Sequence, residues 1–399
     1  MPALDNAAYL DRYAQSLMGV YGRPKAVLTR GQGCYVWDAD GNRYLDLLAG
    51  IAVNALGHGH PAVVDALCRQ GASLIHVSNF FASPPQIDLA ERLLALAGAP
   101  AGSAVFFANS GTEAIEAAIK LSRRTGRSGL VAAEAAFHGR TTGALALTHK
   151  HAYREPFEPL IPSVVHVPLN DRAALRAAVS KDVAALFLEP IQGEAGVVAA
   201  DPAYLQLARE LTTASGTLLI IDEVQTGVGR TGTWFAFQQA GIVPDAITVA
   251  KGLGAGVPIG ALVTFGPGVS GLLTAGQHGT TFGGNPLAAS VGLAVLDTIE
   301  TEGLLAHATA VGNHLEDSVT ALGNPMVRGV RGAGLLRAIE LSADVATVVA
   351  DRGLTAGFII NAPTPDVLRL APPLVISTTQ VDSFVTALPA LLEGLEPTS

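Results

Sequence analysis

Cysteine is nearly missing from this chain: Cys34 and Cys68 are the two present in 399 residues. That excludes a disulfide framework and points to a reducing compartment, here taken as the cytoplasm. Charge is also sparse. Charged residues make up 15%, and the formal net charge is −9. With no basic run and no acidic tail, neither nucleic acid nor an anionic membrane surface is expected as a partner. No uninterrupted apolar stretch reaches about 18 residues, the length that reads as a membrane span. The opening MPALDNAAYLDRY carries acids early and has no apolar core, so no secretory signal is expected. No repeat of some 20–50 residues is visible. What is abundant is apolar: 49% of the residues are hydrophobic. That composition excludes a disordered chain, and the length allows two or more lobes around a large core.

The most informative stretch runs from Thr217 to Gly256. Two short apolar runs, Leu218–Ile221 and Ala246–Ala250, each stop at a charged residue, Asp222 and Lys251. Runs so short and rich in β-branched residues read as buried parallel strands. In open α/β sheets, ligands bind at the carboxyl ends of such strands. An acid and an amine are thus delivered to one sheet edge. Singly, each has a plain structural reading: Asp as a turn residue, Lys as solvated surface.

Their meaning depends on the surroundings. Upstream, SAVFFANSGTEAIEAAIKLSRRTG reads as a strand over Val105–Ala108, then a capping box at Ser110-Gly111-Thr112-Glu113, then a helix ending near Gly126. Free N–H groups at such a helix start can hold a phosphate, and Gly111 allows close approach. A strand at Leu130–Ala133 opens into FHGRT, where Phe137 could lie against a planar ligand and Arg140 could clamp a carboxylate. His138, His149 and His151 lack ligand spacing and are left as surface or supporting residues. His58 and His60 have no carboxylate or cysteine set to complete a metal site, so no metal is expected. Further on, AALFLEP ends a strand at Glu189, and the IQGEAG loop carries Glu194. Alternating strands and helices predict an α/β fold with a mostly parallel sheet covered on both faces. GLGAG after Lys251 superficially matches a dinucleotide fingerprint, but Pro258 and Ile259 lead into a strand, not a helix. From Met326 the pattern changes to antiparallel alternation, with Arg369 in an apolar surround that calls for a partner or ligand. The expected divisions are residues 1–60, an N-terminal segment joining a small domain; 61–285, a large domain; 286–325, a long helical connection; and 326–399, a C-terminal α+β lobe.

One cofactor needs all these parts. Pyridoxal phosphate has an aldehyde that condenses with an amine (Lys251) and a pyridine nitrogen that a carboxylate keeps protonated (Asp222). Its phosphate needs N–H and hydroxyl donors (Ser110, Gly111, Thr112), and its ring needs a face to lie against (Phe137). The competing readings are a nicotinamide-dependent dehydrogenase built on GLGAG and an inactive binding protein on the same scaffold.

The segments SGTEA, FHGRT, EPIQGEAGV, IIDEVQTGVGRTG, AKGLGAGVPIGA and TFGGNPLA together resemble the class-III aminotransferases, of pyridoxal-phosphate fold type I. The resemblance covers nearly the whole chain. FHGRT, NALGHGHP and TFGGNPLA bring it nearest the branch acting on acetylornithine, with succinyldiaminopimelate, ornithine and 4-aminobutyrate as alternative donors. It implies that Lys251 carries the cofactor and moves the proton, and that Asp222 pairs with the ring nitrogen. Val224 would pack opposite Phe137, and Gln225 would reach the ring hydroxyl. Thr281 would reach the phosphate of a neighbouring subunit in a homodimer, with Thr280 beside it toward substrate. Arg140 and Arg369 would hold the carboxylates of N-acetylornithine and 2-oxoglutarate, and Glu194 would pair with Arg369 when no carboxylate is there.

Overall fold

The apolar runs that end in Asp222 and Lys251 are neighbouring parallel strands of one sheet. The computed structural model describes residues 5–397, so the first four residues of the expected 1–60 segment and the last two of the 326–399 lobe lie outside it. Near the N-terminus, β1 (Leu28–Gln32), β2 (Tyr35–Asp38) and β3 (Arg43–Asp46) form an antiparallel meander. Next come β4 (Ala104–Ala108), β5 (Gly129–Ala133), β6 (Val164–Val167) and β7 (Val183–Leu188). A short hairpin, β8 (Ile191–Gln192) and β9 (Val198–Ala199), precedes β10 (Leu218–Asp222), β11 (Ala246–Val249) and β12 (Gly260–Thr264).

The central sheet has seven strands in the order β4-β12-β11-β10-β7-β5-β6. Its neighbours pair in parallel except β12, which runs antiparallel to both β11 and β4. The apolar runs do not alternate because both faces are covered. Leu219 and Ile221 of β10 pack into one core cluster, while Leu218 and Ile220 pack into another with Ile115 and Leu121 of the helix Gly111–Arg123. That helix ends at Arg123, close to its expected end near Gly126, and further helices lie at Pro61–Ser73, Pro84–Leu96 and Pro202–Ser215.

The helical region from Pro286 divides into Pro286–Thr301 and Leu304–Ala321, because Gly303 between them takes φ +64°. In the C-terminal part, β13 (Val327–Ala333) and β14 (Leu336–Leu341) pair antiparallel, as their alternation predicts. The run FIIN, which as a short apolar stretch reads as a strand, does not form a single one. It splits into β15 (Phe358–Ile359), which pairs in parallel with β3, and β16 (Asn361–Thr364), which joins β17 (Val367–Leu370). Elements from both ends of the chain therefore share a sheet. Arg369 sits on β17, opposite Ala338 of β14. The backbone N–H of Ala371, just beyond, donates to the Leu47 carbonyl at 2.8 Å and ties this strand to the N-terminal meander.

Candidate active site

Five parallel strands and one antiparallel strand deliver the site. At the carboxyl ends of β4, β5, β7, β10 and β11 lie Ser110, Phe137, Glu189, Asp222 and Lys251, and β12 enters the same edge at Gly260. They surround a cavity of about 420 Å³ that Gly111, Thr112, His138, Arg140, Glu194, Val224 and Gln225 also line. This space suits a small ligand held by a few polar groups.

Lys251 opens a short 3-10 turn with φ +43°, a conformation that residues with a β-carbon rarely hold. Its remaining exposure is to the cavity. Burial pulls the ammonium down to about 8, against the opposing charges of Glu194, Asp222 and Glu189. The side chain makes no hydrogen bond or ion pair among the described residues.

Asp222 is fixed at both oxygens. Oδ1 accepts from the Thr248 hydroxyl at 3.0 Å and from the Val224 N–H at 3.0 Å. Oδ2 lies 2.7 Å from Nδ1 of the fully buried His138. Burial alone would lower the His138 pKa, but the hydrogen bond and charge of Asp222, helped by Glu189, raise it on balance. His138 and Thr248 together hold the Asp222 carboxylate in one orientation toward the cavity. The Nε2 of His138 is buried with no hydrogen-bond partner among the described residues. Sequence reasoning left His138 aside for want of metal spacing. The signal it needed was different: an imidazole adjacent to Phe137, in a loop at the same sheet edge as Asp222. Thr248 was overlooked too, although the parallel register that pairs Asp222 with Thr248 follows once both strands are recognised.

The turn at Ser110 is nearly, but not fully, the expected capping box. Ser110 Oγ accepts from the Glu113 N–H at 3.3 Å, whereas the Glu113 carboxylate takes the N–H of Asn109 instead of Ser110. That leaves the Ser110 N–H without an acceptor among the described residues, and the N–H groups of Gly111 and Thr112, in the first turn, have none either. A Cβ on Gly111 would come within 2.8 Å of the Val224 methyls, and one on Gly260 within 2.3 Å of the Ser110 carbonyl oxygen. Only glycine lets these walls meet. The result is a tight cradle of unfilled donors at a helix N-terminus, suited to a phosphate.

Phe137 lines the cavity, and its N–H donates to Glu189 at 3.0 Å. Burial pushes the Glu189 carboxyl up to about 8, although His138 opposes the shift. Arg369 is 1% exposed and bonded on three sides: Glu194 at 2.6 Å, Asn361 at 3.0 Å and, more weakly, the Gln225 side-chain oxygen at 3.4 Å. Gln225 therefore turns its oxygen toward Arg369. Burial opposes ionisation of Glu194, but Arg369 outweighs it and holds the carboxyl below its ordinary range, with help from Lys251 and Lys150. Arg140 is exposed and has no carboxylate partner among the described residues. Its guanidinium lies instead over the ring of Tyr153.

Thr280 and Thr281 stand apart. Thr280 Oγ1 accepts from Asn109 at 3.2 Å and from the Gly283 N–H at 3.3 Å. It borders a neighbouring groove with His278. Thr281 is exposed and borders a small pocket with His76 and Asn285. Within one protomer neither lines the Lys251 cavity.

Comparison with known proteins accounts for this constellation. Residues 19–392 match the family model described as aminotransferase class-III. The acetylornithine aminotransferase of Mycobacterium leprae is 52% identical over 394 residues, covering 98% of this chain and 97% of that one. That of Streptomyces coelicolor is 52% identical over 397 residues, with 99% and 98% covered. Among solved structures, the ornithine aminotransferase of Toxoplasma gondii superposes with a TM-score of 0.91 at 32% identity, covering 97% of this chain and 96% of that one. The acetylornithine aminotransferase of Elizabethkingia anophelis gives 0.85 at 33%, covering 97% and 99%. With an amine, a held carboxylate and an open anion cradle around one cavity, and with this likeness over nearly its full length, the chain belongs to the class-III aminotransferases, pyridoxal-phosphate enzymes of fold type I.

Proposed function

We propose that this aminotransferase takes the δ-amino group of N-acetylornithine and passes it to 2-oxoglutarate, giving N-acetylglutamate 5-semialdehyde and glutamate, in the cytoplasm, as a step of arginine biosynthesis. The observation that carries the reading is the unequal state of the two arginines. Arg369 is neutralised by Glu194 at 2.6 Å, while Arg140 at the cavity mouth meets no carboxylate among the described residues. N-acetylornithine presents no carboxylate at its reacting end and one far from it. That pattern matches a closed Arg369 and an open Arg140. 2-Oxoglutarate has a carboxylate at each end, so its α-carboxylate would displace Glu194 from Arg369 while Arg140 takes the other. The names of the relatives support the same donor.

Bound pyridoxal phosphate supplies an aldehyde that accepts the amino group and a protonated ring that withdraws electrons from the carbon being deprotonated. Lys251 would carry it and, with an amine lowered to about 8, would move the proton through Nζ. Asp222, held by His138 and Thr248, would hold the proton on the ring nitrogen. The N–H groups of Gly111 and Thr112, with the Ser110 hydroxyl, would hold the phosphate. Phe137 and Val224 would bound the ring, and Gln225 would approach its hydroxyl. Thr281, exposed in its own protomer, would serve the phosphate of a second copy, with Thr280 beside it on the substrate side.

An absorbance spectrum tests the reading. The protein should bleach on N-acetylornithine and recover on 2-oxoglutarate. A spectrum that ignores N-acetylornithine but responds to ornithine or 4-aminobutyrate would replace the donor. The Glu194 role is tested separately. Glu194→Ala should lower discrimination between N-acetylornithine and glutamate by about tenfold, since a buried arginine would then face the donor unpaired. Unchanged discrimination would remove the switch.

A further inference from the structure

We propose that Tyr153 is a positioning residue for Arg140, and that Tyr153, Arg140 and Lys150 form a cationic lip selecting substrates with a carboxylate remote from the reacting amine. The proposal rests on the function proposed above and adds the device that sets its specificity. An arginine that is to take a carboxylate with no anion to displace first must be held in place without being neutralised. A carboxylate neighbour would fix it but occupy its fork of N–H groups, as Glu194 does for Arg369. An aromatic face fixes the guanidinium plane and leaves the N–H edges free. Arg140 has this second kind of support: its Cζ lies 3.4 Å from the Tyr153 ring centroid and 5.8 Å from that of Phe137.

Tyr153 is itself anchored. Its ring meets Phe137 edge-on, 6.5 Å between centroids at 84°, and Phe137 lines the cavity. It sits on the short helix His151–Arg154, placed by the His149 N–H bond to the Ala136 carbonyl at 2.9 Å. The Tyr153 hydroxyl makes no hydrogen bond among the described residues, so the ring is the working part. Lys150 puts a second positive charge over the same ring, Nζ to centroid 4.7 Å. That charge is felt inside the site, where it helps keep Glu194 ionised.

The test uses the cofactor-loaded enzyme and two substitutions. Calorimetric titration with glutarate, an unreactive dicarboxylate, should show affinity lowered about tenfold in Tyr153→Leu and within about twofold of the parent in Tyr153→Phe. In an Arg140→Met background, Tyr153→Leu should add no further loss. In turnover, Tyr153→Leu should raise KM for N-acetylornithine about tenfold with kcat within about twofold. It should leave N-acetyl-1,4-diaminobutane, the same amine without the carboxylate, unaffected. Three results would each overturn the proposal: glutarate bound equally by parent and Tyr153→Leu, Tyr153→Phe as damaged as Tyr153→Leu, or both amines slowed alike. If the parent prefers another donor to N-acetylornithine, the proposed function fails, and the glutarate titration still decides the role of Tyr153.

Discussion

At Lys251 two costs coincide: a left-handed backbone at φ +43° and an amine held in a buried setting. Strain of this kind persists where the surrounding fold over-determines it. Removing the amine removes the reaction and not the support, since the fold does not depend on a side chain without partners. Lys251→Ala should therefore lose at least about 10³-fold in transamination while its circular dichroism and unfolding midpoint stay near the parent. Activity within tenfold of the parent would overturn the assignment. Glu189 makes a different prediction. Its carboxyl is raised to about 8 in the folded chain, against 4.5 for an ordinary glutamate. Between those values the folded chain holds a proton that the unfolded chain has released, so stability falls as pH rises through that window. Glu189→Gln keeps an acceptor for the Phe137 N–H and removes the slope. In urea unfolding from about pH 5 to 8, the variant should gain steadily on the parent. A constant difference would show that Glu189 ionises in the folded state as it does in the unfolded one.

At the scale of elements, the site is built from strand ends, and that is why much of it could be read from sequence. Asp222 and Lys251 announce themselves because each interrupts an apolar run, and Ser110-Gly111-Thr112 because a helix start has a pattern. His138, Thr248 and Tyr153 were harder. Thr248 emerges once the register of two strands is set, while the importance of His138 and Tyr153 comes from which loop and short helix face which, and spacing along the chain does not encode that. The broken capping box is a related case. Whether Glu113 reaches Ser110 or Asn109 depends on a turn geometry that the sequence motif leaves open, and the outcome leaves N–H groups free. Gly111→Ala tests the cradle. Its Cβ would press on Val224 at 2.8 Å, so the loop or the ring wall must shift. Losing good bonds to a phosphate should weaken pyridoxal phosphate binding by roughly tenfold to a hundredfold, read by titrating the apoenzyme spectrophotometrically. Parent-like affinity would mean the phosphate is held elsewhere. On the same segment as Asp222, the buried Arg230 donates to the carbonyls of Leu335 and Pro372. One stretch of chain thus touches both the cavity and the lobe that bears Arg369.

For the whole molecule, the exposed aromatics need an explanation. Phe80, Phe81 and Phe282 stand at 93%, 69% and 60% exposure, around the groove and small pocket that Thr280 and Thr281 border. Large apolar side chains grouped this way mark an association surface, and a second copy of the chain is the occupant consistent with Thr281 serving a neighbour. Sedimentation should give roughly twice the chain mass, and Phe80→Asp should shift it toward monomer while lowering cofactor affinity. A parent that sediments as a monomer would end the shared-site reading.

The placement of β12 has a consequence for how the chain is made. The Ser110 turn follows β4, a strand at the sheet edge whose sole neighbour among the described residues is β12. Those two strands lie about 150 residues apart. On the ribosome, chains emerge N-terminus first, at roughly 5–20 residues per second. For a span of several seconds, β4 is a strand with nothing to pair with. Gly260, which closes against the Ser110 carbonyl, has not yet been joined to the growing polypeptide. Nascent chains stalled short of Thr264 should therefore fail to capture pyridoxal phosphate, however much of the parallel sheet has formed. The cofactor pocket is a late product of translation, although its first residues are among the early ones synthesised.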